Sequence, residues 1–247
     1  MLSALKFTIA PISLAFFAYL SFTQRGVMTY SAFLYAYAMI PLIEFFLKND
    51  ERNLSEFEES LAERNLIYDL VLYFSVALHL FLLATFLFSI TDPRLKTYEI
   101  VGRTLSMGLL TTFAINLGHE LGHRQTWGEQ FLAKLMLLTS VMMHFFIEHN
   151  RGHHKNVATF EDPSTARKGE TVYAFWFRAI INEYLSAWRL EKKRLEVIQQ
   201  SNFSLQNEML QFQIIQVLFV GLIYYLFGGL ILLAFLFNAA IAYVSFE

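Results

Sequence analysis

Residues 100–124 read IVGRTLSMGLLTTFAINLGHELGHR. The part from Ile100 to Gly118 is long and apolar enough to cross a bilayer, with one charge, Arg103, near its start. It runs directly into His119-Glu120-Leu121-Gly122-His123. On a helix, His119 and His123 lie one turn apart on one face, and Asn116 and Glu120 share their stripe. A polar stripe at the end of a membrane helix is expensive unless it lines a site. This stretch therefore predicts both a membrane-spanning fold and the place where chemistry is done.

Beyond an apolar segment stands a second cluster, Glu148-His149-Asn150-Arg151-Gly152-His153-His154-Lys155. His149 and His153 repeat the i, i+4 pair, and His154 adds an adjacent ring. The two clusters hold all but two of the chain's 7 histidines. Neutral imidazole suits Fe, Zn, Cu and Ni alike, so ligand type alone leaves the metal open. His119-Glu120-Leu121-Gly122-His123 also matches H-E-x-x-H, the zinc-protease helix in which the Glu is general base. A catalytic zinc takes three protein ligands, however, and five imidazoles exceed that number. The excess points to two metals. Any one of these histidines alone reads as an ordinary solvated or hydrogen-bonded residue; five in two spaced clusters do not. His79, alone in an apolar run, reads as a core residue. His144 lies five residues before His149, off its helical face, and is a candidate for supporting the ligands from behind.

The rest of the chain fits a membrane protein. Of 247 residues, 55% are hydrophobic and 26 are Phe, and the apolar residues come in long blocks rather than in one amphipathic pattern. The expectation is an all-α integral membrane domain over 1–247 with six spans, near 7–23, 27–47, 66–90, 100–118, 209–227 and 230–246. Pro41 should kink the second span. Gln24-Arg25-Gly26, Asp92-Pro93 and Gly228-Gly229 read as turns, and Asn65 as the cap of the third span. Residues 48–65 read as a polar loop with an amphipathic helix. An embedded or interfacial helix is expected at 130–148, and an amphipathic surface helix at 171–200. That last segment carries Lys192-Lys193-Arg194, which also suits docking of an acidic electron donor.

Charge orients the spans. Of the 19 Lys and Arg, only Arg25, Arg94, Lys96 and Arg103 fall on the face opposite the histidines, so the histidine side should be cytoplasmic. The net charge of −2 singles out no partner, and no basic patch with interleaved aromatics or Gly-rich phosphate loop points to nucleic acid. With no cysteine in these residues, a disulfide, a thiolate-bound haem and a cysteine-ligated iron–sulfur centre are excluded within them.

At this level of detail the chain resembles the bacterial membrane-bound non-haem diiron alkane monooxygenases, within the wider superfamily of histidine-box desaturases and hydroxylases. Asn116–Arg124 resembles the family's first box. HFFIEHNRGHHKNVATFEDPSTAR, residues 144–167, resembles the second box and its following loop, with Phe160 where proline is usual. Pro41-Leu42-Ile43-Glu44 resembles an early motif that usually ends in aspartate. The resemblance implies O2-dependent terminal hydroxylation of an alkane in the bacterial inner membrane at two non-haem irons. Rubredoxin, reduced in turn by an NADH-dependent reductase, would supply the electrons as a separate protein. His119, His123, His149, His153 and His154 would be metal ligands, with Glu120, Glu148, Asn150, Asp162 and His144 behind them. The family also has an asparagine-tyrosine-histidine box and a third histidine cluster, which have no counterpart here. The expectation is that the chain stops before its metal site is complete, as a fragment or a natural truncation, and is inactive alone. A xylene monooxygenase, a fatty-acyl desaturase, an intramembrane zinc peptidase and a metal-binding remnant are the alternatives.

Overall fold

The computed structural model describes residues 6–47 and 65–247, and these contain helices and no strand. Of the polar loop expected at 48–65, all but Asn65 lies outside the described residues. In chain order the helices are α1 (Ile9–Thr23), α2 (Gly26–Phe46), α3 (Leu66–Ser89), α4 (Thr97–Gly122) and α5 (Trp127–Thr139). They continue with α6 (145–156), α7 (Val172–Val197), α8 (Glu208–Phe227) and α9 (Gly229–Phe246). Among the described residues α2, α3, α4, α8 and α9 are long and apolar enough to cross a membrane, while α1 is a shorter apolar helix. The chain is an all-α, multi-pass membrane protein.

Local chemistry accounts for the helix ends and breaks. Asn65 caps α3, its Oδ1 accepting from the Ile67 amide at 3.1 Å. Pro41 lies inside α2, which is not one uniform helix. A π turn at Tyr35–Met39 precedes the α-helical Ile40–Phe46. Proline brings no N–H to the carbonyl four residues back, so the ladder loosens just ahead of it. Gly26 and Gly228 take φ of +67° and +81° at the two turns, a region open to glycine.

The chain divides into two compact units, residues 1–110 and 111–247. In the first, polar groups on apolar helices satisfy one another. The Ser21 hydroxyl lies 3.0 Å from that of Ser31 and donates to Ser106 at 3.1 Å, and Ser106 donates to the Thr29 carbonyl at 3.1 Å. His79 is buried, as a core reading expects.

The second unit holds both histidine clusters. A continuous helix at 130–148 is not what forms. α5 ends at Thr139, Val141 takes φ of +57°, and helix resumes at Phe145. No Pro or Gly marks this break. The backbone is satisfied by other means: the Ser140 hydroxyl donates to the Leu137 carbonyl at 3.0 Å, and Oε1 of Gln216 on α8 accepts from the Met143 amide at 2.9 Å. α7 falls within the helix expected at 171–200. Its buried stripe is Ala179, Glu183, Ala187, Glu191 and Leu195, every fourth residue, so two glutamates face inward.

Candidate metal centre

α4 and its end supply the first pair of rings. Nε2 of His119 and Nε2 of His123, one turn apart, approach to 3.0 Å. This end of α4 packs closely on α5 at Gly118, where an added Cβ would lie 3.0 Å from Cγ of Leu137 and 3.2 Å from the Ala133 carbonyl. Thr126 caps α5: the Glu129 amide donates to Thr126 Oγ1 at 3.3 Å, and the Thr126 hydroxyl donates to the Glu129 carboxylate at 2.6 Å.

α6 supplies the second group, and here the backbone changes what the sequence spacing suggests. Phe145–Glu148 is α-helical, but His149–His153 is a π turn. In a turn wound i→i+5, His154 swings beneath His149. Their Nε2 atoms are 2.9 Å apart, and both face His123, at 3.2 Å from His149 and 3.4 Å from His154. His119, His123, His149 and His154 thus converge, with one ligating atom from each all within 4.8 Å of one another. His153 stands beside the group. Its ring lies parallel to His149 at 5.2 Å, and its Nδ1 faces Asp162 at 3.0 Å.

The electrostatics suit a cation. Burial, together with His119, His154, His153 and His123, pushes the His149 imidazole down to about 3. Burial and His154 also lower His123. These shifts favour neutral His123 and His149, the form that offers a lone pair to a metal. Neutral imidazole nitrogens turned on one another at about 3 Å repel unless protons or a cation lie between them. The donor set therefore fits a metal ion. His149 is buried and its ring stacks on Phe145 at 4.8 Å, whereas His123 and His154 are exposed, so the group is walled on one side and open on the other.

Around the rings the structure separates the supporting candidates. Asp162 is the one that hydrogen-bonds a histidine ring, that of His153. It is buried, and also accepts from the Ser164 amide at 3.1 Å and the Thr165 hydroxyl at 2.5 Å. Glu120 pairs with Arg124 at 3.2 Å, and the Asn150 amide donates to the Phe146 carbonyl at 2.8 Å. Glu148 accepts from the Ser186 hydroxyl at 3.3 Å. Burial, with Glu183 and Asp162 nearby, pushes its carboxyl up to about 7. His144 Nε2 lies 3.1 Å from the Tyr243 hydroxyl, away from the cluster.

Three contributors have no local signature. Glu183 accepts from Ser164 at 2.6 Å and from Tyr243 at 3.2 Å, joining the loop after the second box to α9. Glu191, fully buried, accepts from Arg151. Arg194 chelates the same carboxylate, so it is not a free member of the basic run at 192–194.

Fold and site together define a membrane-embedded α-helical protein with a metal-binding histidine cluster. The sequence pattern of the family described as "Fatty acid desaturase" matches residues 97–246, from the start of α4 to the end of α9. The chain belongs to the fatty acid desaturase family. It is 36% identical over 80% of its length to alkane 1-monooxygenase 1 of Alcanivorax borkumensis, covering 49% of that protein. To alkane 1-monooxygenase of Pseudomonas putida it is also 36% identical, over 78% of this chain and 48% of the relative. To the hydroxylase component of a xylene/toluene monooxygenase of Pseudomonas putida it is 28% identical, over 67% of this chain and 47% of the relative. The chain thus spans about half the length of these relatives.

Proposed function

We propose that this chain carries the histidine-box part of an O2-dependent alkane hydroxylase, an oxidoreductase that hydroxylates an alkane at its terminal carbon. The observation that carries the reading is the convergence of His119, His123, His149 and His154, with ligating atoms within 4.8 Å, inside the segment matched to the desaturase family. The similarity to alkane 1-monooxygenases supports an alkane as the substrate class. The cofactor in this reading is two non-haem irons, which would supply O2 activation for attack on a C–H bond.

The chain's own residues do the rest. His119, His123, His149 and His154 hold metal through Nε2. His153 has Nδ1 engaged by Asp162, which would fix its tautomer and leave Nε2 available as a further metal ligand. Glu120, Glu148, Asn150 and His144 shape the surroundings of these ligands. Phe145 stacks on His149 and meets Phe246 edge-on at 5.2 Å, giving an apolar wall beside the ring. An alkane offers no polar handle, so such a wall and access from the bilayer suit it. Electrons come from rubredoxin, which its NADH-dependent reductase serves, at a cytoplasmic face of the bacterial inner membrane.

The test uses the protein expressed from its complete coding sequence, reconstituted in lipid with rubredoxin, reductase, NADH and a linear alkane. The expected product is the primary alcohol, labelled when 18O2 is supplied and lost in His149→Ala. Hydroxylation of xylene but not of the alkane would move the assignment to the xylene monooxygenases. A zinc-loaded protein that forms no oxygenated product would overturn it.

A further inference from the structure

We propose that Arg151 is a positioning residue for the histidine site, clamping the π turn at His149–His153 to the buried Glu191 of α7 and to Glu208 at the start of α8. The inference rests on the reading of the clustered histidines as metal ligands.

The turn needs an external hold. A single π turn has one widened backbone ring to maintain it, and such turns recur at functional sites where side chains must be re-aimed. Here it decides which ring faces the cluster, because it brings His154 under His149. Arg151 projects from the middle of this turn. Its Nη1 donates to Oε2 of Glu191 at 3.0 Å and its Nη2 to Oε2 of Glu208. One planar guanidinium thus bridges two helices, a task suited to its fork of donors.

Glu191 is built as an anchor. It is fully buried, and besides Arg151 its carboxylate accepts from Arg194 Nε at 2.8 Å, Arg194 Nη2 at 2.6 Å and the Glu208 amide at 2.7 Å. Burial alone would raise this carboxyl, but Arg194, the Glu208 amide and Arg151 outweigh it and hold it below the ordinary range. Glu208 is also approached by Lys134 of α5 at 3.9 Å. The anchor is therefore held as a carboxylate by its cationic and amide partners.

Gly152 shows how closely the turn is pressed to α7. A Cβ there would lie 2.5 Å from Oε1 of Glu148 and 2.9 Å from Cδ1 of Leu190. Arg151 and Glu208 are part-exposed and Glu191 buried, and ion pairs in either setting add little net stability, so their use here is geometric: they specify one register of the turn. Metal sites tolerate displacements of only about 0.5 Å, which makes register the quantity that counts.

The experiment is a Co2+ titration of the purified protein in lipid nanodiscs, followed by the visible absorption of histidine-bound cobalt. Thermal unfolding of the metal-free protein is measured alongside. Variants are Arg151→Met, Arg151→Lys, Glu191→Gln and the ligand control His149→Ala. The expected result is a loss of Co2+ affinity of about 10- to 100-fold in Arg151→Met, the range for residues that orient ligands from behind. Partial recovery is expected in Arg151→Lys, which keeps the charge but not the fork. Glu191→Gln, which preserves shape and burial, should weaken binding in the same direction if Arg151→Met proves too unstable to purify. Wild-type affinity in Arg151→Met or Glu191→Gln, with the unfolding temperature alone lowered, would reduce the clamp to ordinary structure and overturn the inference. Wild-type affinity in His149→Ala would instead overturn the metal reading on which it stands.

Discussion

Nδ1 of His153 lies 3.0 Å from Oδ2 and 3.2 Å from Oδ1 of Asp162, so the ring outside the four-histidine group is the one held by a buried carboxylate. A ligand histidine with its second nitrogen so engaged has a fixed tautomer and orientation. Asp162 also accepts from the Ser164 amide and the Thr165 hydroxyl. Replacing Asp162 with Ala leaves these part-buried donors unmatched, an expected cost of about 1 kcal/mol. Asp162→Asn keeps the volume but turns one acceptor into a donor, and should weaken metal binding about tenfold or more. Chemical unfolding of the metal-free protein checks the first outcome and cobalt titration the second. Unchanged binding in both variants would remove Asp162 from the site.

His144 sets a pH dependence in the metal-free protein. Burial pushes its imidazole down from 6.5 to about 4. The folded state favours the neutral ring, while the unfolded chain titrates near the ordinary value. The stability it contributes is present in full above about pH 6.5 and is lost as pH falls toward about 4. At one pH unit per ~1.4 kcal/mol, the loss amounts to at most about 3 kcal/mol. The variant His144→Gln keeps a polar partner for Tyr243 and does not titrate. Unfolding free energies from pH 7 to pH 4 should fall more steeply in wild type than in the variant, and parallel slopes would contradict this.

Two glycines should respond with opposite signs. At Gly152 an added methyl meets Oε1 of Glu148 at 2.5 Å and Cδ1 of Leu190 at 2.9 Å. Gly152→Ala should cost about 1–3 kcal/mol, as overpacked sites do. Gly128, in the first turn of α5, has open space around a Cβ. Gly128→Ala should gain up to about 1 kcal/mol through helix propensity and a less flexible unfolded chain. Denaturant titrations of the two variants test the contrast.

What the sequence made legible was whatever has a local signature. Spans announced themselves by length and apolarity, Asn65 by its capping chemistry, and Gly26 and Gly228 by the turns they occupy. The i, i+4 spacing of His119 and His123 was readable because α4 is a regular helix to Gly122. The second cluster was readable in composition but not in geometry. A π turn has no residue signature comparable to proline, and it exchanged the expected His149–His153 pair for His149 and His154. The break after Thr139 was hidden for a similar reason: what satisfies its backbone is Gln216, far along the chain. Glu183 and Glu191 fall in the helix expected to be amphipathic, where nothing local sets them apart from its other charges. Only packing shows that they lie on its buried stripe, one beside Tyr243 and Ser164, the other under Arg151.

The central claim is that His119, His123, His149 and His154 hold iron together. Iron content and X-ray absorption on protein purified from iron-replete cells test it most directly, with His149→Ala prepared in parallel. The expected result is iron in an imidazole-nitrogen shell in the wild type, and its loss or marked depletion in His149→Ala. Iron at the same level and with the same nitrogen shell in both proteins would contradict it.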